Sequence, residues 1–229
     1  MNALVRFYQS SVGKKYIVAL SGLALVGFVI VHMLGNFTLF LGPEAINAYA
    51  HKLKSSGPLL WIFRIGLFVI FLLHVVNTIQ LAKLNRKARP DRYAKKNKVQ
   101  ASTASLTMVI SGTIIGAFVI YHLLQFTIGV TDPEYLQYRT ADGHHDVFRM
   151  VVTAFSNPIV VFFYILAMAL LCLHLSHGFA SVFQSLGVRN NLIAPALRYA
   201  SYGLAAIIFI GNSSMPLAVL MGFITLPNS

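Results

Sequence analysis

Five apolar runs, at about 15–41, 58–83, 103–130, 157–185 and 197–224, constrain this chain more than any other feature. Each exceeds the ~20 residues that a helix needs to cross ~30 Å of hydrocarbon. Lipid offers the backbone no hydrogen-bond partner, so every run must close its own bonds as a helix. The expected fold is therefore an all-α membrane protein, five transmembrane helices in one bundle, with residues 1–229 forming a single domain. Composition agrees, because only 10% of the residues are charged where soluble domains carry about a quarter. Pro43, Pro58 and Pro158 fall at or beyond span ends, where a missing N–H is harmless, whereas Pro216 is expected to kink the last helix or end its regular part early.

The charges are placed asymmetrically. Arg6, Lys14 and Lys15 precede the first span, and Lys83, Arg86, Lys87, Arg89, Arg92, Lys95, Lys96 and Lys98 fill the loop between the second and third. Glu44, Asp132, Glu134, Asp142 and Asp146 lie in the opposite loops, beside Lys52, Lys54, Arg139 and Arg149. Positive loops stay on the cytoplasmic side, so the N-terminus is expected in the cytoplasm and the C-terminus outside. The net charge of +12 thus reads as orientation and attraction to anionic lipid headgroups, not as a nucleic-acid footprint. Residues 1–11 hold no small-residue cleavage site after a short apolar core, so the first span is expected to remain in the mature protein. Cys172 is the one cysteine, too few for a disulfide framework or an iron–sulfur cluster.

Five histidines fall inside spans: His32, His74, His122, His174 and His177. Ionisable groups at membrane depth are costly and face the bundle interior, which makes them candidates for function. Taken singly, each is equally well explained as a neutral imidazole bonded to a neighbouring carbonyl. Their depths favour pairing. His32 lies 17 residues beyond Lys15 and His122 lies 17 beyond Ser105, which places both roughly 26 Å from the basic end at 1.5 Å per residue. His74 precedes Lys83 by nine residues and His174 precedes Gly187 by thirteen, placing both roughly 14–20 Å from that end. Two histidines at one depth on different helices can face each other across a bundle core, as cofactor sites in bundles require.

The segments SGLALVGFVIVH (21–32) and SGTIIGAFVIYH (111–122) repeat Ser-Gly and Phe-Val-Ile ahead of a histidine, so their helices read as equivalent walls of one site. Gly27 and Gly116 would let a flat macrocycle approach the backbone, although small residues also serve ordinary helix packing in membranes, the reading that the glycines alone favour. No Asp or Glu lies within the apolar runs, which argues against zinc or di-iron centres. Two imidazole pairs in apolar surroundings suit two b-type haems, His32 with His122 and His74 with His174. A proton-coupled transporter is the rival from another class. His177, one turn from His174 on the same face, could replace it as ligand. His51, His144 and His145 read as solvated loop residues, Arg64 as a snorkelling cation, and Asn36, Asn77, Gln80 and Gln125 as candidate polar contacts.

Nearly the whole chain resembles a known family, the cytochrome b subunits that anchor succinate dehydrogenases and fumarate reductases through one five-helix, dihaem unit. The resemblance rests on GKKYIVALSGLALVGFVIVHMLGNFTLFLGP in the first span, NRKARPDRY after the second, and HLSHGFASVFQSLG in the fourth. It implies haem iron ligation by His32, His74, His122 and, in the fourth-helix motif, His174 ahead of His177. It further implies a multi-pass protein of the bacterial inner (cytoplasmic) membrane, serving as the anchor of a succinate:quinone oxidoreductase. An FAD flavoprotein subunit and an iron–sulfur subunit would sit on the cytoplasmic side, against Arg86, Arg89, Arg92 and residues 187–198. Electrons would pass to a quinone, typically menaquinone, and the chain itself would not touch succinate. Some fumarate reductases of the family carry glutamate two residues before the fourth-helix ligand, where this chain has Cys172; that departure leans toward succinate oxidation. Fumarate reduction, and the cytochrome b anchor of another respiratory dehydrogenase, remain the nearest alternatives.

Overall fold

The computed structural model describes residues 2–87, 103–188 and 190–227. Arg89, Arg92, Lys95, Lys96 and Lys98 of the basic loop lie outside the described residues. Helix α1 (Ala3–Gln9) leads into α2 (Ser11–Asn36), whose first turn is capped by the Ser10 hydroxyl accepting from the Gly13 N–H at 2.9 Å. A 3-10 turn (Phe37–Leu41) ends at Gly42, where φ of +98° suits only glycine, and Pro43 opens α3 (Pro43–Ser55). Then follow α4 (Pro58–Lys87), α5 (Thr103–Leu123), α6 (Val147–Phe155), α7 (Pro158–Ser185) and α8 (Ala194–Leu220).

Among the described residues, five stretches are long and apolar enough to span a membrane: Ser11–Leu41, Pro58–Lys87, Thr107–Gln137, Pro158–Ser185 and Ala194–Leu220. Their outward faces are apolar, as lipid requires; on α4, Trp61, Ile62, Phe63 and Ile65 are all exposed. Helix α8 runs through Pro216 to Leu220, so its regular part does not end early at that proline. Two short helices also stand where loops were expected. Helix α6 buries Phe148, Met150, Val152, Ala154 and Phe155, and its N-terminus is capped by Asp146 accepting from the Arg149 N–H. Helix α3 packs on it, tied by Asn47, whose amide donates to Asp146 and whose carbonyl accepts from the Phe148 N–H, both at 3.0 Å.

Helix packing sets the frame of the site. Helix α2 lies along α4 and α7, and α7 lies along α5 and α8. Among the described residues no extended contact joins α2 to α5, α4 to α7, or α4 to α5. The four histidine-bearing helices thus follow one another as α4, α2, α7 and α5 around a quadrilateral whose α4–α5 side is open, with α2–α5 and α4–α7 as its diagonals. Helix α8, which has no histidine in its span, fills the side behind α7 and α2, where Gly211 lets Met33 and Phe37 approach its backbone.

Candidate functional site: two imidazole pairs on the diagonals

Each diagonal is bridged by two histidines. The His32 and His122 rings have centroids 5.8 Å apart at an interplanar angle of 89°. Those of His74 and His174 are 6.5 Å apart at 64°. Two imidazoles binding one metal from opposite sides, each nitrogen about 2.0 Å from it and about 1.2 Å from its own ring centre, have centroids about 6.4 Å apart. Both pairs stand close to that separation. All four lie within spans, His32 exposed and the other three partly buried.

Hydrogen bonds orient three of the four rings. The Ser21 hydroxyl donates its single proton to the Ile17 carbonyl at 2.6 Å and lies 3.2 Å from His74 Nδ1, so it accepts from an Nδ1–H there. Ser111 repeats the arrangement, donating to the Met108 carbonyl at 3.2 Å and accepting from His174 Nδ1–H at 3.3 Å. The third case is a chain. Gln125 Nε2 faces the Asp132 carboxylate at 3.5 Å, which turns Gln125 Oε1 toward Tyr164; the Tyr164 hydroxyl donates to it at 2.8 Å and accepts from His122 Nδ1–H at 3.1 Å. A π-helical turn at Leu124–Ile128, closed by Gly129 at φ +71°, places Gln125 inward and 1% exposed. With Nδ1 protonated, Nε2 of His74, His122 and His174 keeps its lone pair. Metal-bound histidines are held the same way, the second ring nitrogen donating to an oxygen. His32 instead stacks on Phe28, with centroids 5.4 Å apart and planes within 22°.

The repeated Ser-Gly motif has a different job from the one its spacing suggested. Rather than walling the pair that contains its own helix's histidine, each Ser-Gly receives the histidine of the next span. A Cβ on Gly22 would lie 3.1 Å from His74 Cε1, and one on Gly112 would lie 3.4 Å from His174 Cε1. Helices α2 and α5 thus each carry a histidine of one pair and a socket for a histidine of the other. Ser21 to His32 and Ser111 to His122 are both eleven residues, so the pairs stand about 16 Å apart along the bundle. Gly27 and Gly116 lie between those levels, and a Cβ on either would meet nothing within 4 Å. They are therefore not packing glycines; they border open space.

His174 is the ring opposite His74, with His177 one turn along the same helix. Gln80 accepts from the buried Lys14 ammonium at 2.6 Å, Asn36 donates to the His32 carbonyl, and Arg64 lies over the Trp61 ring. Asn77 is fully buried and donates to the Leu73 carbonyl. Tyr164 is the residue that the sequence reading missed. Its signal was available, because a tyrosine inside a span needs a partner for its hydroxyl. Among the described residues no three His, Cys, Asp or Glu side chains converge on one metal-sized point. Compared with family models, curated proteins and solved structures, the chain has no match.

Proposed function

We propose that this chain is a dihaem cytochrome b, the membrane anchor of a succinate:quinone oxidoreductase of the bacterial inner membrane, with its basic loop in the cytoplasm. One observation carries the haem assignment: two imidazole pairs cross the diagonals of the bundle at the separation for a shared metal, with Nε2 left bare on three of the four rings. His32 and His122 would hold one haem, and His74 and His174 the other. When bound, a haem supplies reversible one-electron exchange at its iron. The chain's own contribution is orientation and environment. Ser21 and Ser111 hold one pair of rings, Tyr164 holds His122, and the apolar helices keep bulk water from both levels. The succinate dehydrogenase partners, and menaquinone as the quinone, rest on the sequence resemblance, which also leaves fumarate reduction as the reverse direction.

Proton-coupled transport would use the Asp132–Gln125–Tyr164–His122 chain as a relay. A carboxamide in its middle does not hand on protons at neutral pH, so the chain fixes a tautomer rather than conducting. The test is purification of the chain from its native membrane under mild detergent. A flavoprotein and an iron–sulfur polypeptide should copurify, and succinate should reduce a b-type absorbance. Isolation with other soluble subunits would reassign the complex, and succinate leaving the haem oxidised in an intact preparation would contradict the proposal.

A further inference from the structure

A second polar constellation lies at the α3/α6 end, outside the spans. A cavity of about 250 Å³ is lined by His51, Lys54, Arg139, His144 and His145, with Ala50 and Gly143. His51 and His144, expected to be solvated loop residues, pack with ring centroids 3.9 Å apart and planes tilted by 32°. His145 is half-buried and bonds through Nε2 to the Tyr135 carbonyl at 3.1 Å.

The two walls are fixed independently of any ligand. One is a clasp in which Arg139 and His145 form a β-bridge, the Thr140 N–H donates to the His144 carbonyl at 2.8 Å, and Gly143 turns the chain at φ +78°. The Arg139 guanidinium is anchored by one nitrogen, Nη1, to the carbonyls of Leu136 and Tyr138 at 2.6 and 2.9 Å, which leaves its other N–H groups to donate. The other wall is α3, pinned to α6 through Asn47.

Charge in the cavity has one sign. Among the described residues no carboxylate lines it. Burial, then Arg139 and Arg64, hold the Lys54 ammonium below its usual range, with no negative group opposing them. The nearest acid to His145, Asp146, already accepts from Asn47 and from the Arg149 N–H. A rigid arginine fork, a lysine and several imidazoles around one cavity match the oxygens of a phosphate.

We propose that this cavity binds an oxyanion of the phosphate class, either free phosphate or a phospholipid headgroup, with Arg139 and Lys54 as its charged contacts. The site is independent of haem binding. Isothermal titration of the lipid-depleted full-length chain in a non-ionic detergent with inorganic phosphate should show saturable binding. Arg139→Gln and Lys54→Gln should each weaken it by about tenfold or more, as loss of a charge-assisted hydrogen bond implies. Lys52→Gln, on the part of α3 that lines a different, apolar pocket, should leave it unchanged. An anionic phospholipid that survives purification, is displaced by phosphate and is lost in Arg139→Gln assigns the headgroup as ligand. Saturable phosphate binding with no retained lipid assigns the free anion. Neither phosphate binding nor lipid retention would overturn the proposal, as would undiminished binding by Lys54→Gln, which removes no hydrogen bond that holds the fold.

Discussion

Replacing Tyr164 by phenylalanine removes one oxygen and keeps the ring that packs against Phe118, Phe126 and Phe155. Two groups then lose their partner, the Gln125 carbonyl and the His122 Nδ1–H. An unsatisfied buried group costs about 1–3 kcal/mol, so with two of them the fold should lose roughly 2–6 kcal/mol. The selective effect falls on the His32–His122 site. Loss of an oxygen partner behind a metal-bound histidine lowers metal affinity by about 10–100-fold and makes the ring less basic. A less basic ligand stabilises ferric iron less, so the midpoint potential should rise, by about 59 mV for each tenfold by which the loss favours the ferrous state. Redox titration of the reduced b-band absorbance, resolved into two components, is the assay. Tyr164→Phe should move one component upward and leave the other in place, and Ser111→Ala, which strips the partner from His174, should move the other. A shift of the same component by both variants would refute the reasoning, and so would two unmoved potentials.

Further predictions follow from the same geometry. His32→Ala and His122→Ala should each remove the same haem, and His74→Ala and His174→Ala the other, by haem quantification and difference spectra; His177→Ala should keep both, and a shared loss from His32→Ala and His74→Ala would contradict the diagonals. Gly22→Ala places a Cβ 3.1 Å from His74 Cε1, so it should push that ring aside at a cost of about 1–3 kcal/mol and lower occupancy at the Ser21 level alone. Burial, then the Lys54 and Arg139 charges, hold His145 below its ordinary 6.5, against the opposing pull of the Tyr135 carbonyl and Asp146. The unfolded chain takes up this proton first, so the stability contributed here is complete above pH 6.5 and is lost as pH falls toward the folded value. Labelled-histidine NMR should find a His145 midpoint below 6.5 without phosphate and a higher one with it; a phosphate-free midpoint above 6.5 would refute the account.

The membrane frame was legible because its cause is local: each span announces itself by twenty or more apolar residues, and all five stand near their expected bounds. The pairing of depths was legible too, since helical rise converts residue counts into height. The separation of the two levels was less so. Distances from loop charges suggested roughly 6–12 Å, because Lys83 and Gly187 do not mark one plane, whereas Ser21 beside His74 fixes about 16 Å. Ser-Gly was recognised as a repeat, but its role was hidden because it acts across helices, on the histidine of the following span. Tyr164 and Gln125 escaped for a similar reason, as a π-turn redirects Gln125 and no α-helical periodicity anticipates that. Asn47 illustrates the loops: one side chain joining α3 to α6 across about a hundred residues of sequence left no trace in hydropathy. The cavity lined by His51, His144 and His145 depends on that join.

The central claim is that the two diagonals each hold a haem. Pyridine haemochrome quantification on the purified full-length chain, with a dithionite-reduced minus oxidised spectrum, measures it directly. Two b haems per polypeptide with low-spin absorbance are expected, and a well-folded chain reconstituted with haem that retains none would contradict the account.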